Sequence, residues 1–207
     1  MIHELSRRWG ESLEQKVNRQ GMAELYAFGL EVVLTQTISL MVVAVIVVLF
    51  GVWPSALIFL AVFFPFRIIG GGVHMAGLGR CLVISSLLIV ACSWLALQVW
   101  STWVSWLVAG LGLGSALLAL WHWVPVGTEQ YPLDDPKVRI RRRKQMKVAL
   151  FLWSLATIIC LILGWSEAAL ALSLGALTSS LLMSPAAYTV LDCIDKIMDK
   201  RKEVNCK

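Results

Sequence analysis

The stretch Lys137-Val-Arg-Ile-Arg-Arg-Arg-Lys-Gln-Met-Lys147 is followed without a break by Val148 to Trp165, eighteen residues that carry no charge. Eighteen helical residues rise about 27 Å, close to the ~30 Å hydrocarbon core of a bilayer. Seven cations abutting one end of such a run mark that end as cytoplasmic. This junction predicts a transmembrane helix that enters from the inner face, and the rest of the chain can be read outward from it.

Five further apolar runs share its character: about Leu30 to Phe50, Trp53 to Ile69, Cys81 to Trp100, Trp103 to Val124, and Ala168 to Val190. The second, Trp53 to Ile69, is short and interrupted by Arg67. It fits a tilted or partly re-entrant segment, or one extended by a snorkelling arginine. The last contains Pro185, so a kink or an end is expected near Ser184. Composition agrees: 58% of the 207 residues are hydrophobic and 15% charged, more apolar surface than a soluble fold of this size can hide. The same figures exclude intrinsic disorder. Five widely spaced cysteines do not make a disulfide scaffold.

The positions of the charges set the topology. All eighteen Lys and Arg residues lie in four places: Arg7 to Arg19, Arg67 and Arg80, Lys137 to Lys147, and Lys196 to Lys207. The connections around Gly51, Ser101 and Ser166 hold none. Six crossings with both termini in the cytoplasm put every cation inside. The net charge of +5 is then an orientation signal beside anionic lipid and not a nucleic-acid footprint. The connection from Pro125 to Lys147, with Pro125, Pro132 and Pro136, predicts an extended basic cytoplasmic loop.

No cleavable signal peptide is legible. Residues 2–28 instead read as an amphipathic helix, with Ile2, Leu5, Trp9, Leu13 and Val17 at helical spacing. Such a helix is expected to lie in the inner interface as an anchor, or alternatively to present a docking surface. The expected fold is an all-α polytopic membrane protein, one integral-membrane domain over residues 1–207. It comprises an interfacial helix at 1–29, about six transmembrane helices over 30–190 and a cytoplasmic tail at 191–207.

One connection departs from ordinary membrane-protein sequence: Arg67-Ile-Ile-Gly-Gly-Gly-Val-His74-Met-Ala-Gly-Leu-Gly-Arg80-Cys81. Glycine this dense costs helix stability and suits close backbone approach or unusual φ/ψ. His74 and Cys81, seven residues apart, would share a face of an unbroken helix but sit about 10.5 Å apart along its axis. A base–nucleophile hydrogen bond spans about 3 Å, so a working pair requires a break, which Gly77 and Gly79 could supply. His74 could then take the thiol proton or hold the thiolate as an ion pair. A helix opening at Cys81 would favour thiolate further. By residue type alone the plainer reading is a packing cysteine, a tethering histidine and a tight turn. Three scattered histidines give no metal-ligand cluster. No acidic residue sits mid-span, which argues against ion-coupled transport. No cofactor motif is present.

The spacing Arg67, Gly71-Gly72, His74, Cys81 resembles the signature of the accessory gene regulator B (AgrB) family, bacterial membrane cysteine endopeptidases that process quorum-sensing propeptides. The resemblance extends over nearly the whole chain, through the polar N-terminus and the Pro125-Val126 … Pro132-Leu133 connection with its basic run. Two departures stand out: Gly70 makes a triple glycine, and Met75 to Arg80 holds two glycines and no acidic residue.

The resemblance implies His74 as general base and Cys81 as nucleophile, with Arg67, Gly71 and Gly72 in support. The two glycines' backbone amides are candidate oxyanion donors, and a tight turn accounts for them equally well. It also implies a thiol protease acting on a small amphipathic AgrD-like propeptide in the bacterial cell membrane. The segment held on Cys81 as a thioester would then cyclise to a thiolactone or lactone. A homodimer is suggested on the same ground, and neither cofactor nor nucleic acid is called for. The alternative class is a non-enzymatic peptide exporter or adaptor; a second is a membrane acyltransferase with a cysteine acyl carrier.

Overall fold

In the computed structural model, which describes residues 2–17, 23–71, 78–98, 101–125 and 136–205, all regular structure among the described residues is α-helix. The order is α1 (Ile2–Val17), α2 (Ala23–Leu49), α3 (Trp53–Gly70), α4 (Leu78–Leu97), α5 (Thr102–His122), α6 (Pro136–Ile162), α7 (Ser166–Leu181) and α8 (Pro185–Asn205). The chain divides into two compact units, Met1–Leu49 and Phe50–Lys207. In the first, α1 packs along α2, with Ser6 fully buried and Trp9 half exposed.

Three helices, α3, α5 and α6, are long and apolar enough to cross a membrane. A fourth candidate is the pair α7 and α8, bent by 79° at a short break. The break falls where Pro185 predicts it, with the proline as the first residue of α8, a position that needs no amide hydrogen. The apolar parts of α2 and α4, Thr37–Leu49 and Leu82–Leu97, are shorter. The second apolar run is short, as expected, and forms one unbroken helix of 18 residues through Pro65 and Arg67 to Gly70. The chain therefore does not turn back within it.

Two boundaries differ from the sequence expectation. The N-terminal helix is described over Ile2–Val17, residues 18–22 lie outside the described residues, and residues from Ala23 belong to α2. Ala23-Glu24-Leu25 are good helix formers, and extending the long helix beside them costs less than nucleating another. The basic run is also no extended loop: α6 begins at Pro136 and carries Lys137–Lys147 as helix. Pro136 suits the first helical position, Arg, Lys, Gln and Met favour helix, and the span behind them propagates it. Residues 126–135 of that expected loop lie outside the described residues.

The second unit is organised around α7, which packs against α3, α4, α5 and α6. Its buried residues are Leu170 and seven small ones: Ala169, Ala171, Ser173, Gly175, Ala176, Ser179 and Ser180. In lipid no hydrophobic force drives one apolar helix onto another, so close backbone approach and dispersion must hold the bundle. A Cβ on Gly175 would stand 2.7 Å from the carbonyl oxygen of Phe59 on α3, and one on Gly112 of α5 would stand 3.1 Å from that of Ser173. Ser173 and Ser180 turn their hydroxyls back to Ala169 O and Ala176 O, both at 2.7 Å, which satisfies them without a partner helix. Trp153 of α6 fills the space beside Gly112 and donates its indole N–H to Leu172 O at 2.9 Å. Its ring meets Phe66 of α3 edge-on, centroids 6.3 Å apart. At one end of the bundle Ser55 of α3 donates to the Glu167 carboxylate at 2.7 Å, in the first turn of α7, where the helix dipole favours an anion.

Gly175→Ala is expected to destabilise the protein by about 1–3 kcal/mol, because the added methyl meets backbone that only a helix shift can move. Gly110→Ala, with nothing within 4 Å of its would-be methyl, is expected to be neutral or to stabilise by up to about 1 kcal/mol. Thermal unfolding of both variants in one detergent checks the contrast.

Candidate active site

The Gly-rich connection starts from a rigid base. α3 ends at Gly70, whose would-be Cβ position is filled by the Met183 side chain. Met183 is itself buried, in a cluster with Phe66, Val124, Met146 and Trp153. The next residue, Gly71, has φ 80° and ψ −148°, a conformation essentially confined to glycine. Its amide donates to Arg67 O at 2.9 Å, and its carbonyl accepts from Arg67 Nη1 at 3.2 Å. Arg67 thus grips Gly71 at both backbone groups and fixes the direction in which the chain leaves α3.

Two arginines of α6 complete this end of the bundle. Arg142 Nη1 donates to Ile68 O in the last turn of α3 at 3.2 Å. Arg143 donates through Nε to Val124 O at 2.9 Å and through Nη2 to Trp121 O at 3.2 Å, at the end of α5. The last carbonyls of a helix lack intrahelical donors and carry its negative dipole end, so each cation meets both a hydrogen-bonding and an electrostatic need. The basic run therefore has a second role that charge counting does not reveal. The available signal was position: Arg142 and Arg143 lie just before Met146 and Leu150, the first buried residues of α6.

Among the expected site residues, the structure brings Arg67 and Gly71 into direct contact. Cys81 is the fourth residue of α4, within its first turn. Gly79 is helical and so does not supply the break considered for it. Gly72, His74 and Gly77 lie outside the described residues. The remaining described cysteines are free: Cys92 buried in α4, Cys160 half-buried in α6, and Cys193 exposed on α8.

The family model described as Accessory gene regulator B matches residues 6–184. No curated protein and no solved structure matches the chain.

Gly71→Ala is expected to cost about 1–3 kcal/mol, because an alanine resists that backbone conformation. Arg143→Ala is expected to cost about 1–2 kcal/mol by leaving carbonyls at the end of α5 unpartnered. Arg143→Lys should recover less than half, since a single ammonium cannot serve both carbonyls with a planar fork. Melting temperatures of the three variants in detergent measure these effects.

Proposed function

The chain belongs to the accessory gene regulator B family, and from that premise we propose that it is a membrane cysteine endopeptidase with Cys81 as nucleophile and His74 as general base. Membership is consistent with a role in quorum-sensing propeptide processing, and the apolar helices with a membrane location. The observation that carries the finer reading is the placement of the motif. Its Arg67–Gly71 half is clamped at the end of α3, and its cysteine half stands in the first turn of α4, a helix packed on α3.

The proposed mechanism follows from these groups. His74 accepts the Cys81 proton, and the thiolate attacks a carbonyl of the propeptide at the cytoplasmic membrane face. The tetrahedral intermediate collapses, His74 protonates the departing amine, and the signalling segment stays on Cys81 as a thioester. Amide to thioester is uphill, so loss of the cleaved tail must draw the step forward. A thiol or hydroxyl within the segment then attacks the thioester and releases a thiolactone or lactone. The thiolactone exchange is nearly even and is favoured by intramolecular effective concentration. Keeping water from the acyl-enzyme is a task an interfacial site suits. Gly71 and Gly72 are proposed to direct amides at the oxyanion, with Arg67 holding the first of them in place.

Six crossings with both termini inside remain our topology. α2 and α4 have 27 and 20 residues, about 40 and 30 Å of helix, enough to traverse a bilayer although their apolar parts are shorter. We place α1 in the inner interface, take residues 1–207 as one functional membrane domain, and propose a homodimer with an AgrD-like propeptide as substrate.

Cys81→Ala and His74→Ala are each expected to lower cleavage of a co-expressed propeptide about a thousandfold or more, nearly as much as both together, with membrane insertion unchanged. Cys81→Ser should be nearly inactive. A variant lacking the other four cysteines should stay active and sensitive to alkylation. Mass analysis of the peptide product is the readout, and normal product from Cys81→Ala would replace the peptidase by an exporter or adaptor. For topology, a single reporter cysteine at Arg139 in a cysteine-free background should resist an impermeant maleimide applied to intact cells, whereas one at Ser101 should react.

A further inference from the structure

We infer that the outward face of α6 holds one anionic phospholipid of the inner leaflet, with its headgroup on Arg141 and Lys144 and its acyl chains along Val148, Phe151 and Leu155. The inference does not depend on the peptidase reading. It rests on α6 crossing the membrane, which its length and composition allow, and on the proposed topology that puts its basic end inside.

Helical geometry sorts the cations of α6 into different tasks. The packing face is Met146, Leu150, Trp153, Thr157 and Leu161. Arg142 and Arg143 flank that face and bind the carbonyl ends of α3 and α5. At 100° per residue, Arg141 and Lys144 fall on the opposite side. Both are exposed, and neither has a protein partner among the described residues. They are three apart, hence neighbours with Cβ atoms about 5–6 Å from each other, a spacing that lets both reach one phosphate.

The same face continues toward the far end of the helix as exposed apolar surface. Val148 is 58% exposed, Phe151 68% and Leu155 47%. These three follow Lys144 at steps of four, three and four, so cationic and apolar parts form one unbroken stripe. From Lys144 to Ile162 is about 27 Å of helix, close to the ~30 Å hydrocarbon thickness, which places Lys144 at headgroup depth. A ligand complementary to the stripe is anionic at one end and carries long apolar chains directly behind it. That is the chemistry of an anionic phospholipid. A free phosphate would leave the apolar part unused, and a soluble acidic peptide would not enter the depth of Val148 to Leu155.

The test uses the full-length protein in nanodiscs of about one part phosphatidylglycerol to four parts phosphatidylcholine, released into mild detergent and weighed by native mass spectrometry. Wild type is expected to retain phosphatidylglycerol in preference to phosphatidylcholine. Arg141→Gln with Lys144→Gln should reduce that retention about tenfold. Lys196→Gln with Lys200→Gln, equal in charge lost, should leave it unchanged, and the charge-keeping pair Arg141→Lys with Lys144→Arg should preserve it. All these substitutions fall on helix surface or tail, and far-UV circular dichroism verifies that helix content is kept. An equal loss in the tail variant would overturn the site in favour of diffuse attraction. No preference for phosphatidylglycerol in wild type would overturn it outright. Full displacement by glycerol phosphate would make it a free-phosphate site, and full displacement by a soluble poly-aspartate peptide would make it a peptide site.

Discussion

The second unit depends on how closely α3, α4, α5 and α6 can approach α7. A bundle in lipid gains nothing from apolar burial as such, since the lipid is as apolar as the partner helix. What it gains is dispersion contact, which falls off steeply with distance. The missing side chain at Gly175 brings α7 against the Phe59 carbonyl, and the one at Gly112 brings α5 against Ser173. Around these two contacts the large residues, Phe59, Phe66, Trp153 and Met183, close the remaining space. The end of α3 from which the motif departs is packed into this arrangement, because Gly70 and Met183 interlock there.

The cationic end of the bundle serves several physical needs at once. In the proposed topology, Lys and Arg there orient the chain by the positive-inside rule. Arg67 is bound to Gly71, Arg142 to the last turn of α3, and Arg143 to Trp121 O at the end of α5 and Val124 O just beyond it. These bonds tie α6 to both helices at the level where the Gly-rich connection starts. Such hydrogen bonds, with donors charged and acceptors at or near a helix end, are of the stronger kind and suit the fixed site that the proposed peptidase would need.

Much of this was legible beforehand. The apolar runs located the helices, and Pro185 located the break between α7 and α8, because a proline cannot continue a ladder that needs its amide. The spacing from Arg67 to Cys81 pointed to the family now matched over residues 6–184. Over Lys137–Lys147 the expected Pro125–Lys147 loop is helix instead, since prolines and charge resemble a loop in composition alone. Pro136 instead starts the helix, and lysine and arginine extend it without strain.

By itself the sequence determined that this chain is helical and that lipid is its solvent, and it named a candidate nucleophile and base. Those properties reside in hydropathy, charge position and local spacing, each readable from neighbours along the chain. Tertiary structure alone decided which glycines are contact points, with Gly175 and Gly112 against backbone and Gly110 and Gly114 in open space. It alone separated Arg142 and Arg143, bound to carbonyls, from Arg141 and Lys144, turned outward. The reason is the same in both cases: identical residues a few positions apart differ only in the helix face they occupy and in what other helices bring to that face.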